Sequence, residues 1–251
     1  MPEVQDILSQ HYSVDAGSIL FGQHVSVDAI AAQFGTPVFV YDSTVLDRKL
    51  AVLRRTLPKE FSISYSVKAN PCQAILRHFL QGGCGLEIAS GGEFYQAVVA
   101  GCAPEHIVFA GPGKTEEELE YVLSKNIGEV HAESEFEIDR IATISERLEK
   151  IANVAIRINP TGEALGGAMR MGGKATPFGI DEENLDQAVE KIQANPFLEF
   201  RGIHLFSGTQ ILDHTVLVAQ YKKGIEIARA IVKKNQRPLH TIDFGGIERV
   251  E

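Results

Sequence analysis

Lys68 stands where an alternating segment runs out, in the stretch FSISYSVKANP (Phe61–Pro71). Ile63, Tyr65 and Val67 fall on one side of an extended chain and Ser62, Ser64 and Ser66 on the other, the period-two pattern of a strand. Asn70-Pro71 ends it, because the residue before a proline is steered away from helical geometry. An amine partly desolvated at such a strand tip holds its proton less tightly and becomes a nucleophile toward a carbonyl. A lysine that snorkels to solvent from a strand end is the alternative these residues leave open.

Other residues with chemical potential sit at comparable places. Glu87 lies within GLEIASGGEF, where Ser90 followed three residues later by Glu93 also reads as a capping box at the start of a helix. Arg157 lies near the end of VAIRINP, and an arginine in a buried strand needs an anionic partner, so an internal salt bridge is one account of it. His204, Phe206 and Thr209 fall in GIHLFSGTQ; a lone histidine is more often a core residue than a ligand, and both readings of His204 stay open. Gly245 and Gly246 follow TIDF, and a glycine turn lets backbone N–H groups approach an anion. GPGKT (Gly111–Thr115) superficially suggests a nucleotide loop, but Val108 stands where that loop needs its first glycine, so ATP binding is rejected.

The elements that must position these residues alternate. Strands are expected at Thr36–Asp42, Ser62–Val67, Gly85–Ala89, His106–Ala110, Glu129–Ala132, Val154–Ile158, Arg201–Phe206 and Thr241–Phe244. Asp42 or Ser43 caps a helix to about Leu57 with Leu46, Leu50, Val52 and Leu53 as its buried stripe. Further amphipathic helices are expected at Gln73–Gln81, Gly92–Ala100, Thr115–Lys125, Glu135–Lys150, Glu183–Ala194 and His214–Asn235. Strand–helix alternation of this length predicts an α/β fold with a parallel sheet, a (β/α)8-type TIM barrel whose strands run from Ser62 onward. Seven barrel strands are present and the eighth is not, so the barrel reads as incomplete; residues 1–35 read as an amino-terminal segment and 36–251 as the barrel domain. The glycine-rich, basic stretch GEALGGAMRMGGKATPFG reads as a mobile loop over a site.

YSVKANP, GLEIASGGEF and IVFAGPGKTEEEL, in that order, resemble the amino-terminal half of the diaminopimelate, ornithine and arginine decarboxylases, the alanine-racemase-like class of pyridoxal phosphate (PLP) enzymes. The resemblance spans Thr36 to Gly246. It implies that Lys68 carries PLP as a Schiff base, with Glu87 (usually an aspartate in that family) beside it and Arg157 reaching the phenolate side of the ring. Ser90 matches the family's cofactor motif. His204 matches the first histidine of the family pattern GLHFHIGSQ, Phe206 replaces the second, ring-stacking one, and Thr209 replaces the phosphate-binding serine. Gly245 and Gly246 match two of three phosphate-binding glycines, with Ile247 in the third place.

The implied reaction is decarboxylation of an amino acid, with Lys68, Glu87 and His204 as catalytic candidates. Met169, Arg170 and Met171 resemble the branch acting on larger or carrier-protein-linked amino acids, such as the butirosin-type glutamyl-carrier enzymes. The family's acidic group for the ring nitrogen and its carboxy-terminal β-domain have no counterpart in this sequence. The chain on its own is therefore expected to bind PLP weakly and turn over poorly. A non-catalytic PLP-binding protein and a regulatory partner of a complete enzyme are the alternatives, and complete family members are homodimers.

The 251 residues carry 24 basic and 33 acidic side chains, a net charge of −9, and 44 % apolar residues. That balance argues against nucleic-acid or anionic-membrane surfaces and fits a cytoplasmic protein, and no leader or spanning stretch is read in the sequence. Three cysteines without CxxC spacing, and eight histidines without a ligand motif, give no expectation of a disulfide framework or a metal site.

Overall fold

A computed structural model describes residues 12–22, 24–161, 169–170, 177–206, 208–209 and 213–245. The chain divides into two compact units, Met1–Ser62 and Ile63–Glu251.

In the first unit, β1 (Ser13–Asp15), β2 (Ser18–Phe21) and β3 (Val25–Ser26) form an antiparallel meander that the sequence pattern did not reveal. Ala16 and Gly17, both at positive φ (48° and 83°), make its first two-residue turn, the backbone twist that suits a tight hairpin. Ser26 caps α1 (Val27–Phe34), and Asp42 caps α2 (Ser43–Thr56) by accepting from Thr44 N–H at 2.8 Å. Of the expected stripe on α2 only Leu50 is fully buried. Thr36–Asp42 is not a strand. Its apolar alternation is real, but no strand pairs with it among the described residues, and Phe39 is 90 % exposed.

The second unit alternates strand and helix. β4 (Ser64–Ser66), α3 (Gln73–Gln81), β5 (Gly85–Ile88), α4 (Gly91–Ala100), β6 (Ile107–Phe109), α5 (Glu116–Ser124), β7 (Glu129–Ala132) and α6 (Glu135–Arg147) come first. Then follow β8 (Ala152–Asn159), the two-residue strands β9 (Met169–Arg170) and β10 (Ile180–Asp181), α7 (Leu185–Gln193), β11 (Leu198–Leu205), β12 (Gly208–Thr209), α8 (His214–Asn235) and β13 (Thr241–Asp243). The main sheet runs β4-β5-β6-β7-β8-β11-β13, all parallel, with β10 added against the end of β8. These are the seven strands expected, in sequence order, as in an incomplete barrel of this class.

Alternation within each strand sorts the side chains. Leu86, Ile88, Val154, Ile156, Ile203 and Leu205 join helix residues such as Leu76, Phe94, Leu119, Ile141 and Ile192 in one buried apolar cluster. The intervening residues, among them Glu87, Glu129, His131, Arg157, His204 and Asp243, point to the other face, where they meet. The sheet is curled around that face: Thr241 Oγ1 on β13 donates to Glu129 Oε2 on β7 at 2.7 Å. In a flat sheet strands three places apart are separated by about 14 Å.

Local chemistry sets the helix ends. Thr115 and Glu118 form the reciprocal capping box of α5, and Gly101 closes α4 at φ 102°. At Gly202 the β11 backbone passes so close to Thr241 that a Cβ would collide with its carbonyl, next to a register shift between Phe200 and Gly202. Cys72, Cys84 and Cys102 are free thiols. Among the described residues no helix is long and apolar enough to cross a membrane.

Candidate active site

Lys68 does not continue β4. The strand ends at Ser66, and Val67–Ala69 form a single 3-10 turn before Pro71, with Val67 fully buried as its anchor. Tyr65 stacks on Phe79 of α3 (centroids 4.2 Å apart), which turns the serine side of the strand toward the inner face. There Ser66 Oγ lies 3.4 Å from Glu87 Oε1, and Lys68 Nζ 3.8 Å from the same oxygen. The lysine side chain is 55 % exposed, so the desolvation expected at a strand tip is not supplied by these residues. Glu87 is mostly buried; burial, with the nearby Asp243 charge, raises its proton affinity, against the pull of Lys68, His131 and Arg157.

Arg157, on β8, is buried and pairs with Glu133 (Nη1 to Oε1 2.9 Å, to Oε2 3.2 Å). The same carboxylate accepts from Gly111 N–H (2.6 Å) and Gly179 N–H (3.1 Å). The guanidinium carbon lies 4.9 Å from the Phe178 ring centroid and 5.5 Å from that of Phe206. Lys114 of GPGKT is no phosphate ligand in this arrangement: it is buried, donates to the Gly111 and His131 carbonyls (2.6 and 2.7 Å) and pairs with Glu137 at 3.2 Å. Burial lowers its proton affinity, countered by Glu137 and Glu133.

His204, on β11, sits in register between Arg157 and Asp243. Its Nδ1 is 3.0 Å from Nδ1 of His131, whose Nε2 is 2.8 Å from Glu129 Oε1. Burial opposes a charge on His131, but the Glu129 hydrogen bond and the Asp243, Glu129 and Glu87 charges outweigh it and raise its proton affinity. Burial, then the His131 and Arg157 charges, depress that of His204 far below the ordinary value. Gly245 turns at φ 49°, with its N–H donating to Asp243 Oδ1 at 2.7 Å; a Cβ there would come within 2.8 Å of His204 Nε2.

The inner face thus brings together Lys68 and Glu87 at one side, and Arg157, Phe206, His204 and Gly245 toward the other. Ser90 acts as a helix cap, its Oγ accepting from Glu93 N–H at 3.2 Å. The box expected there is not reciprocal, because Glu93 turns back to Ala89 N–H (2.7 Å). Thr209 forms β12 against β9. Gly246, Ile247 and most of the glycine-rich stretch lie outside the described residues. Sequence reasoning missed Glu129, His131, Glu133 and Asp243. The signal was available in EVHAE, where ionisable residues recur at every second position of a strand otherwise made of Val and Ala.

Comparison with known proteins places this geometry. Residues 44–247 match the family model for the pyridoxal-binding domain of pyridoxal-dependent decarboxylases. The diaminopimelate decarboxylase of Zymomonas mobilis is 39 % identical over 217 residues, covering 84 % of this chain and 51 % of that protein. The L-glutamyl-[BtrI acyl-carrier protein] decarboxylase of Niallia circulans is 35 % identical over 211 residues, covering 84 % and 49 %. A crystal structure of diaminopimelate decarboxylase from M. jannaschii superposes with a TM-score of 0.84 at 25 % identity, over 97 % of this chain and 58 % of that one. The chain spans about half the length of the curated relatives it matches. By sequence and fold alike, the chain belongs to the pyridoxal-dependent decarboxylases and carries their pyridoxal-binding domain.

Proposed function

We propose that this chain is the cofactor-holding part of an enzyme that removes the α-carboxylate of an amino acid of the diaminopimelate type, with Lys68 as the residue that bonds the cofactor aldehyde. The observation that carries the reading is the Lys68–Glu87 pair, 3.8 Å apart at the carboxyl ends of neighbouring parallel strands. The residues present fit pyridoxal phosphate. An exposed amine is open to the aldehyde, a buried guanidinium is held rigid for an anionic oxygen, and the Gly245 turn leaves no room for a side chain beside His204. When bound, the cofactor supplies a pyridinium ring that takes up the electron pair left by the departing carboxylate.

The chain's own groups divide the remaining work. Lys68 anchors. Glu87, whose proton affinity burial raises, lies 3.8 Å from Lys68 Nζ, placed to take a proton from that amine or return one to it. Glu133 fixes the Arg157 guanidinium, which would meet the cofactor's phenolate oxygen. Phe206 offers an aromatic face in place of the usual imidazole, which supports stacking without proton transfer at that position. By their places in the family motif, Thr209 and Gly246 are assigned to the same phosphate.

The finer substrate assignment is part of the same proposal: a free diamino acid, or an aminoacyl group on a carrier protein, processed by a homodimer of the complete protein. The decisive experiment incubates the chain with pyridoxal phosphate, reduces it with borohydride and maps the modified peptide. A pyridoxyl adduct on Lys68, absent in Lys68→Ala, is expected. Equal labelling of scattered surface lysines, unchanged by that substitution, overturns the reading.

A further inference from the structure

Beneath the Gly245 turn runs a line of buried polar groups to which the proposed function assigns no task. Thr241 Oγ1 donates to Glu129 Oε2 (2.7 Å), Glu129 Oε1 meets His131 Nε2 (2.8 Å), and His131 Nδ1 meets His204 Nδ1 (3.0 Å). His131 and His204 are 0 % and 3 % exposed, and the far nitrogen of His204 faces the Gly245 turn.

An ionised carboxylate only accepts, so His131 Nε2 carries a hydrogen. The contact between the two Nδ1 atoms then has two arrangements. With His131 neutral, its Nδ1 is bare, His204 must donate from Nδ1, and His204 Nε2 is left without a hydrogen. With His131 as an imidazolium, its Nδ1 donates, and neutral His204 carries its hydrogen on Nε2. The proton on His131 therefore decides whether His204 shows a donor or an acceptor to the turn.

We propose that Glu129 and His131 are positioning residues that hold a proton and so fix His204 as an Nε2–H donor aimed at an anion, the phosphate group of the cofactor, bound at the Gly245 turn. The proposal rests on reading that turn as the phosphate site. The charged groups facing the histidine pair favour it. Glu129 on β7, Asp243 on β13 (Oδ2 3.9 Å from His131 Nδ1) and Glu87 on β5 act against Arg157 on β8, Lys114 before α5 and Lys68 after β4. The acidic groups outweigh burial and raise the proton affinity of His131, while burial, then the His131 and Arg157 charges, lower that of His204. A neutral Nε2–H donor is what an anion at the turn needs, since a bare imidazole nitrogen there would repel it.

The test uses the full chain labelled with 15N-histidine, with long-range 1H–15N spectra near neutral pH. Wild type is expected to show an imidazolium at residue 131 and the Nε2–H tautomer at residue 204. Glu129→Gln removes the anion, so residue 131 becomes neutral and residue 204 shifts to the Nδ1–H form. Thr241→Val disturbs the packing but leaves the carboxylate charge, and retains the wild-type tautomer. Inorganic phosphate, titrated by the same signals, binds roughly tenfold or more weakly to Glu129→Gln than to Thr241→Val. An unchanged tautomer in Glu129→Gln, a shifted one in Thr241→Val, or equal phosphate affinity in both overturns the proposal. Borohydride mapping on the same samples separates the two ideas: loss of the Lys68 adduct in wild type sinks the cofactor reading, while the spectra still decide the proton arrangement.

Discussion

Arg157 Nη1 meets Glu133 Oε1 at 2.9 Å with both side chains more than nine-tenths buried. The pair is an obligatory unit: removing one partner strands the other in a medium that cannot solvate it. Glu133→Ala is expected to cost about 3–5 kcal/mol of unfolding free energy. Urea denaturation checks this, and a double substitution of both residues to hydrophobic groups should cost clearly less than the sum of the two single changes.

At Gly202 the β11 backbone passes against that of Thr241 on β13, and a methyl group there would collide with the Thr241 backbone. Gly202→Ala is expected to lower stability by roughly 1–3 kcal/mol and to loosen β13. Thermal unfolding gives the magnitude. Wild-type stability in the variant would show that the strands separate without penalty.

Ser90 caps α4 through Glu93 N–H, so Ser90→Ala is expected to cost about 1 kcal/mol. The measurement to pair with it is pyridoxyl labelling of Lys68. Retention of the label with reduced stability assigns Ser90 to the helix start alone; loss of the label gives its hydroxyl a second task at the cofactor.

Glu87 carries the opposite sign from a salt-bridged surface carboxylate. Burial raises its folded-state proton affinity, so ionising it weakens the folded state. As pH rises from the unfolded carboxylate value of about 4.3, the unfolded chain releases its proton first and wild-type stability falls until the folded group has ionised too. Glu87→Gln lacks this loss. Its stability relative to wild type should therefore increase across that interval and level off above it, as read from urea midpoints at several pH values.

Most of the second unit was legible because each element announces itself locally. α8 coincides with the expected His214–Asn235, and β5, β7 and β13 lie within a residue or so of their expected ends. Lys68, Glu87, Arg157 and His204 were legible as residues at strand ends. Their partners were not. Glu133 pairs with Arg157 across 24 residues of chain and Glu129 with Thr241 across 112, and nothing local marks a carboxylate for a partner that far away. Thr36–Asp42 failed for a related reason, since alternation shows that a segment suits a sheet without showing that a neighbouring strand is there to pair with it.

The curl of the sheet also apportions motion. Side chains lace β7 to β13 through Glu129 and Thr241, β7 to β11 through the histidines, and the end of β7 to β8 through Glu133 and Arg157. Among the described residues, the inner-side contacts of β4 and the turn after it are the longer ones of Ser66 and Lys68 with Glu87, at 3.4 and 3.8 Å. Amide exchange should accordingly find β7, β8, β11 and β13 opening together, and β4 opening at lower free energy by itself. The lysine then rides on the part of the sheet that breathes, while the wall opposite stays in place as the fixed gauge against which a ligand is held.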